Sequence, residues 1–262
     1  VGQFKRPFDL FELTSSTQIL VVERAGRIRG LDDFVGGADV YSLSRFTERL
    51  RYSDRDIGVQ VEGRDRTGRI RWAAAVTNGN GANAEDVDGR KAYQLRLGVS
   101  PAARLAVWGG VSGTPFAVER RGAQPDPAGE HDRAVAFQLD AEYGDFDRGP
   151  HVQAGIVTGD NWRPVEGTPA EPPRFLAWQV IGTYKFAVEG NRWVQFLEPV
   201  LRVSRGDPDT DARDDAGVLV TPGVVVHFAG RNKFAVNYDV WVPQSDARRT
   251  ETSFKAQVYL HF

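Results

Sequence analysis

The chain has no cysteine and no methionine among its 262 residues, and only four histidines. The absence of cysteine excludes disulfides, thiolate metal sites and a thiol nucleophile. His131, His151, His227 and His261 fall on separate strand-like or loop stretches, without the spacing of metal ligands. No serine, histidine and acid arrangement offers a placed nucleophile and base, so neither catalysis nor a cofactor is expected. No window approaches 18 consecutive apolar residues, which excludes a transmembrane helix. The net charge is −2, so nothing in it draws nucleic acid, and no nucleic-acid partner is expected. With no initiating methionine and an opening that reads as a strand, VGQFKRPF, the sequence looks processed or truncated.

What the chain does contain is period-two alternation, in which one side of a strand is apolar and the other polar. Ile57, Val59 and Val61 alternate with Gly58, Gln60 and Glu62, and Tyr93, Leu95, Leu97 and Val99 with Gln94, Arg96 and Gly98. Similar runs recur to the end of the chain, where SFKAQVYLHF at 253–262 sets Phe254, Ala256, Val258, Leu260 and Phe262 against Lys255, Gln257, Tyr259 and His261. The spacing predicts about eleven strands after position 54, about twelve with the first, in one domain over 1–262. Between them lies a long charged segment, 9–54, with helical turns expected around 16–24 and 42–51. Connections of that length are uncommon and usually functional.

The remaining connections sort themselves. Short ones (64–68, 100–102, 144–149, 189–191, 229–232) take turns with longer ones (78–89, 113–130, 159–173, 206–216, 243–251). Short turns at one end and long polar loops at the other are a mark of outer-membrane barrels, and a soluble sandwich has no reason to sort its loops this way. Trp72, Tyr93, Tyr143, Trp178, Tyr184, Phe228 and Phe254 lie near strand ends, where interfacial aromatic girdles are expected. The aspartate-rich DPDTDARDD at 207–215 lacks the glycine turn and terminal glutamate of an EF-hand and reads as a solvated loop.

The closing strand, ending on phenylalanine, resembles the last strand of bacterial outer-membrane β-barrels. The opening VGQFKRPF, then ELTSS from Glu12, LVVER from Leu20 to Arg24, and RDIG at 55–58, together resemble the phosphate-selective porin O and P family. That resemblance implies an all-β fold: a transmembrane antiparallel up-and-down β-barrel with about twelve strands in this chain, which is either a smaller complete barrel or part of the family's sixteen-stranded barrel with its first strands missing from the sequence. It implies that 9–54 folds inward as the constriction. The function it implies is passive diffusion of small hydrophilic solutes, with anions such as phosphate expected, across a bacterial outer membrane. Membrane lipid and lipopolysaccharide would be its surroundings, and a homotrimer or an accessory role in a larger envelope complex its assembly. The expected channel-lining cations are Lys5, Arg24, Arg27, Arg29, Arg69, Arg71, Arg96, Arg202 and Lys255, because the arginine fork donates two hydrogen bonds to an oxyanion. Glu12, Glu23, Glu48, Glu62, Asp140, Glu142 and Glu198 share the same environment, and this near balance of sign favours general diffusion over phosphate specificity. Two alternatives stay open: a non-conducting structural or accessory barrel, and a soluble β-sandwich binding module.

Overall fold

The computed structural model of the chain describes residues 1–24, 26, 42–86, 89–117, 131–162 and 172–260. Twelve strands form one antiparallel sheet in strict sequence order. They are β1 (Gly2–Lys5), β2 (Arg55–Arg64), β3 (Ile70–Thr77), β4 (Ala92–Ala102), β5 (Leu105–Ala117), β6 (His131–Gly144), β7 (Gly149–Asp160), β8 (Arg174–Ala187), β9 (Val194–Asp207), β10 (Gly217–Phe228), β11 (Lys233–Pro243) and β12 (Glu251–Tyr259). Among the described residues β1 pairs only with β2, and β12 only with β11. Two short helices, α1 (Leu10–Leu13) and α2 (Leu43–Arg49), precede β2.

Short turns fix the register. Asp65 accepts hydrogen bonds from the backbone N–H of Thr67 and of Ile70, which closes the β2–β3 turn over Gly68. Asp145 and Asn191 serve the turns after β6 and β8 in the same way. Such side-chain mimicry of a backbone turn is why aspartate and asparagine gather there.

The faces of the sheet are inverted relative to a soluble β-domain. One face is apolar and open: Leu97 is 53% exposed, Leu139 56% and Phe254 69%. Arg133, Arg174 and Arg205 on this face stand at the strand ends next to the long connections. The opposite face buries polar side chains, including Gln94, Arg96, Gln138, Asp140, Gln179, Arg202, Ser204, Thr221 and Asp239. They are covered by the stretches 6–24 and 42–54.

The sheet must bend to allow this. Lys5 on β1 donates from Nζ to the Thr14 carbonyl at 3.3 Å, and Lys233 on β11 donates to the Thr17 carbonyl at 2.8 Å. Three residues of chain span at most about 11 Å. In a flat sheet, ten strand spacings would set β1 and β11 about 48 Å apart. The sheet is therefore strongly curved around the segment, with its polar face concave.

Helix α2 forms where 42–51 is expected, with Ser42 accepting from the Arg45 N–H at 3.2 Å as its N-cap. No helix forms over 16–24. The helix lies earlier, because the buried Asp9 carboxylate accepts from the Phe11 N–H at 2.9 Å and starts α1. After a turn closed by Gln18 N–H on the Ser15 carbonyl, the chain lies against the sheet, Leu20 and Val21 buried and the Val22 N–H donating to Asn237. A side chain of the sheet takes a donor that a helix would have used internally.

The expected wet concave face is dry over much of its area. Phe8, Phe11, Leu43, Phe46, Leu50 and Tyr52 of the segment pack with Phe116, Phe175, Leu219 and Trp241 of the sheet. Phe46 stacks on Phe175 with ring centres 5.3 Å apart. Fully burying such side chains contributes about 1.5–3 kcal/mol each, enough to hold the segment in place.

Candidate functional site

Four of the expected lining cations converge on one clasp between the segment and the sheet. Lys5 lies 3.5 Å from one Glu12 oxygen and Arg24 lies 3.4 Å from the other. Arg24 also donates to the carbonyls of Phe11 and Thr14 at 2.7 and 2.8 Å. Arg202 reaches back from β9 to the carbonyls of Glu23 and Arg24, at 3.1 and 3.0 Å, while its other end meets Asp239 at 3.1 Å. Lys255 sits 2.6 Å from both Glu23 and Asp239. The four cations thus face three carboxylates and a set of carbonyls. Their hydrogen bonds are committed within the protein, so this cluster anchors the segment and is not a free anion ladder.

Inside the segment, burial pushes the Glu12 carboxyl up to about 7, against the pull of Arg24 and Lys5. Burial likewise raises Asp9, despite hydrogen bonds from Thr47 and the Phe11 N–H. Asp9 accepts from the Thr47 hydroxyl at 2.6 Å, which joins α1 to α2.

The other expected cations lie elsewhere. Arg27 and Arg29 lie outside the described residues. Arg96, on β4, pairs with Asp140 at 3.2 Å and lies 5.0 Å from the Trp108 ring centre. Trp108 can lie there because position 98 is glycine: a Cβ on Gly98 would stand 2.1 Å from the indole. Arg69 sits exposed in the turn before β3, and Arg71 follows on the concave face. Arg71 stands directly opposite Arg64 in the β2–β3 register. Among the described residues, Arg64, Arg69 and Arg71 have no ion-pair partner.

Arg64, Arg71 and Arg96 border a cavity of about 900 Å³ between α1 and the strands β2–β6. Its sheet wall carries Gln60, Glu62, Arg64, Arg71, Arg96, Trp108 and Glu142, and its segment wall Pro7, Leu10, Leu13, Thr14, Ser15 and Gln18. A second cavity of about 520 Å³ shares Arg71, Trp108 and Glu142 and reaches Arg69 and Arg104 at the short turns. Together they make a vestibule whose side chains without an ion pair among the described residues are mainly cationic, Arg71 donating from Nε to the Gly68 carbonyl at 3.4 Å.

Arg64 and Trp108 belong to the site and are absent from the expected set. Both signals are in the sequence: the turn DRTG at 65–68 fixes the register that sets Arg64 against Arg71, and Trp108 falls on the polar side of the alternation. The histidines described by side chain are held by single carboxylates, His151 by Glu142 at 2.9 Å and His227 by Glu198 at 2.6 Å. Among the described residues no group of three or more side chains is arranged to hold a metal ion. No helix among them is long and apolar enough to cross a membrane, which says nothing of strands. No family model matches the chain, and no curated protein matches it.

Proposed function

We propose that this protein is an outer-membrane β-barrel channel of the phosphate-selective porin type, passing small hydrophilic solutes with a preference for anions. The observation that carries this reading is the inversion of the sheet. An exposed apolar face around a buried polar one is the arrangement lipid demands and water does not. On β8 the exposed-side run from Leu176 to Phe186 covers ten residue steps. At about 3.4 Å each and a tilt of about 40°, that gives an apolar band about 26 Å tall, close to that of known barrels. In lipid the edge strands need partners, so β1 and β12 would be joined by closure or by further strands.

The inserted segment packs across the concave side from β5 to β11, and the route left for solute runs at the short-turn end of β2–β6 past Arg64, Arg69 and Arg71. Unpaired cations on a narrow wall raise the local concentration of anions. Single-channel recording in a planar bilayer tests this: discrete conductance steps with an anion-favouring reversal potential are expected. A cation-favouring reversal potential contradicts the anion preference.

A second reading is favoured by the apolar cluster around Phe46 and Phe175, which resembles the core of a plug. A structural barrel closed by that plug would insert into bilayers and show no conductance steps.

A further inference from the structure

The vestibule has two walls of different chemistry. On the sheet wall Arg64 and Arg71 are direct cross-strand neighbours with no ion-pair partner among the described residues. Like charges so placed are destabilising, their Cβ atoms about 4.5–5.5 Å apart, unless something negative lies between them. Glu62, two positions along β2, already accepts from Gln60 at 3.2 Å. Deeper in the same wall Arg96 is 6% exposed, and its Nε has no hydrogen-bond partner although its guanidinium meets Asp140. Facing these groups across the cavity are Leu10 and Leu13 of α1, with Trp108 beside them. Inorganic phosphate has no use for an apolar wall. A polyanion would meet repulsion from Glu62 and Glu142, which line the same space.

We infer that the vestibule is a binding site for organic monoanions with a flat apolar body, aromatic monocarboxylates being the class that fits. The carboxylate is held between Arg64 and Arg71; the Arg71 Nε reaches the Gly68 carbonyl at 3.4 Å, which leaves its two Nη groups to donate in parallel to the ligand. The ring lies against Trp108 and the leucines, where aromatic contacts and apolar burial both contribute. As a statement about transported solute this rests on the channel reading; as a statement about binding it does not.

Calorimetric titration of the folded, detergent-solubilised protein with benzoate, acetate and inorganic phosphate tests it without requiring conduction. Benzoate is expected to bind at least about tenfold more tightly than acetate or phosphate, the scale of one buried ring. Arg71→Gln is expected to weaken benzoate by about tenfold and Arg71→Lys by less, because lysine keeps the charge and loses the fork. Trp108→Leu should narrow the gap between benzoate and acetate. Equal binding of benzoate and acetate, tighter binding of phosphate, or an Arg71→Gln variant indistinguishable from wild type overturns the inference. These outcomes are separate from the channel test: conductance in potassium chloride that benzoate neither blocks nor shares leaves the channel standing and removes this site.

Discussion

Arg202 Nη2 lies 3.1 Å from Asp239 Oδ1, and both side chains are 1% exposed. Because Arg202 also binds the carbonyls of Glu23 and Arg24, this pair ties β9 and β11 to the inserted segment. Removing one partner of a buried pair leaves an uncompensated charge and costs about 3–5 kcal/mol. Lys255 still reaches Asp239, so the loss for Arg202→Met should fall near the lower end, about 3 kcal/mol. Urea unfolding in lipid vesicles measures it, and Arg202→Met should also speed proteolysis within 10–24. An unchanged midpoint and unchanged protease resistance contradict the anchoring role.

Glu12 gives the protein a pH dependence of definite sign. Its carboxyl is raised from 4.5 to about 7 by burial. Below pH 4.5 it is protonated in both folded and unfolded chains. Between there and about 7 only the unfolded chain releases the proton, so stability contributed here falls as pH rises and levels off above 7. The full effect is about 3 kcal/mol. Glu12→Gln should reduce the slope of this part of the profile, and Asp9, also raised by burial, contributes to what is left.

Leu139, 56% exposed, lies well inside the apolar band, four residues before Tyr143 on β6. Leu139→Arg should cost about 2–4 kcal/mol in lipid, the range for a cation near the bilayer midplane. The native Arg133 shows why position matters. It lies at the long-connection end of β6 with its guanidinium 4.7 Å from the Tyr93 ring centre, and Arg133→Leu should change stability by less than about 1 kcal/mol. Equal effects from the two changes contradict a lipid-facing band.

Gly98→Val should displace Trp108, since even a Cβ would fall 2.1 Å from the indole. With the ring pushed into the vestibule, single-channel conductance should drop at least about twofold, while stability falls by the 1–3 kcal/mol typical of overpacking. Unchanged conductance with intact folding would place the solute route elsewhere.

The strands were legible because their exposed face is apolar almost without interruption. Ile57, Val59 and Val61, or Tyr93 through Val99, carry the period on their own. Alternation says which side a residue faces, and nothing about what stands across from it. That is why Arg202, Lys255, Lys5 and Arg24 read equally well as solute ligands: Lys255 and Glu23 are 232 positions apart and Arg202 and Asp239 37, while Glu12 meets Lys5 and Arg24 only through the fold of the segment, which strand alternation does not describe. The stretch 16–24 misled for a related reason. Its backbone donors go partly to the sheet, as with Val22 and Asn237, and local propensity does not register such a partner. Arg64 and Trp108, by contrast, were recoverable from turn register and parity alone.

The inversion of the sheet is the central claim, and a cysteine-free chain makes it directly measurable. Single variants Leu95→Cys and Leu139→Cys on the exposed face, and Glu62→Cys and Ala73→Cys on the cavity side of the concave face, can each carry a polarity-sensitive fluorophore in vesicles. A lipid-facing exposed side requires blue-shifted emission, quenched by nitroxide-bearing lipid, at 95 and 139, and no lipid quenching at 62 and 73. Aqueous quenching at 95 and 139 without lipid quenching would contradict it.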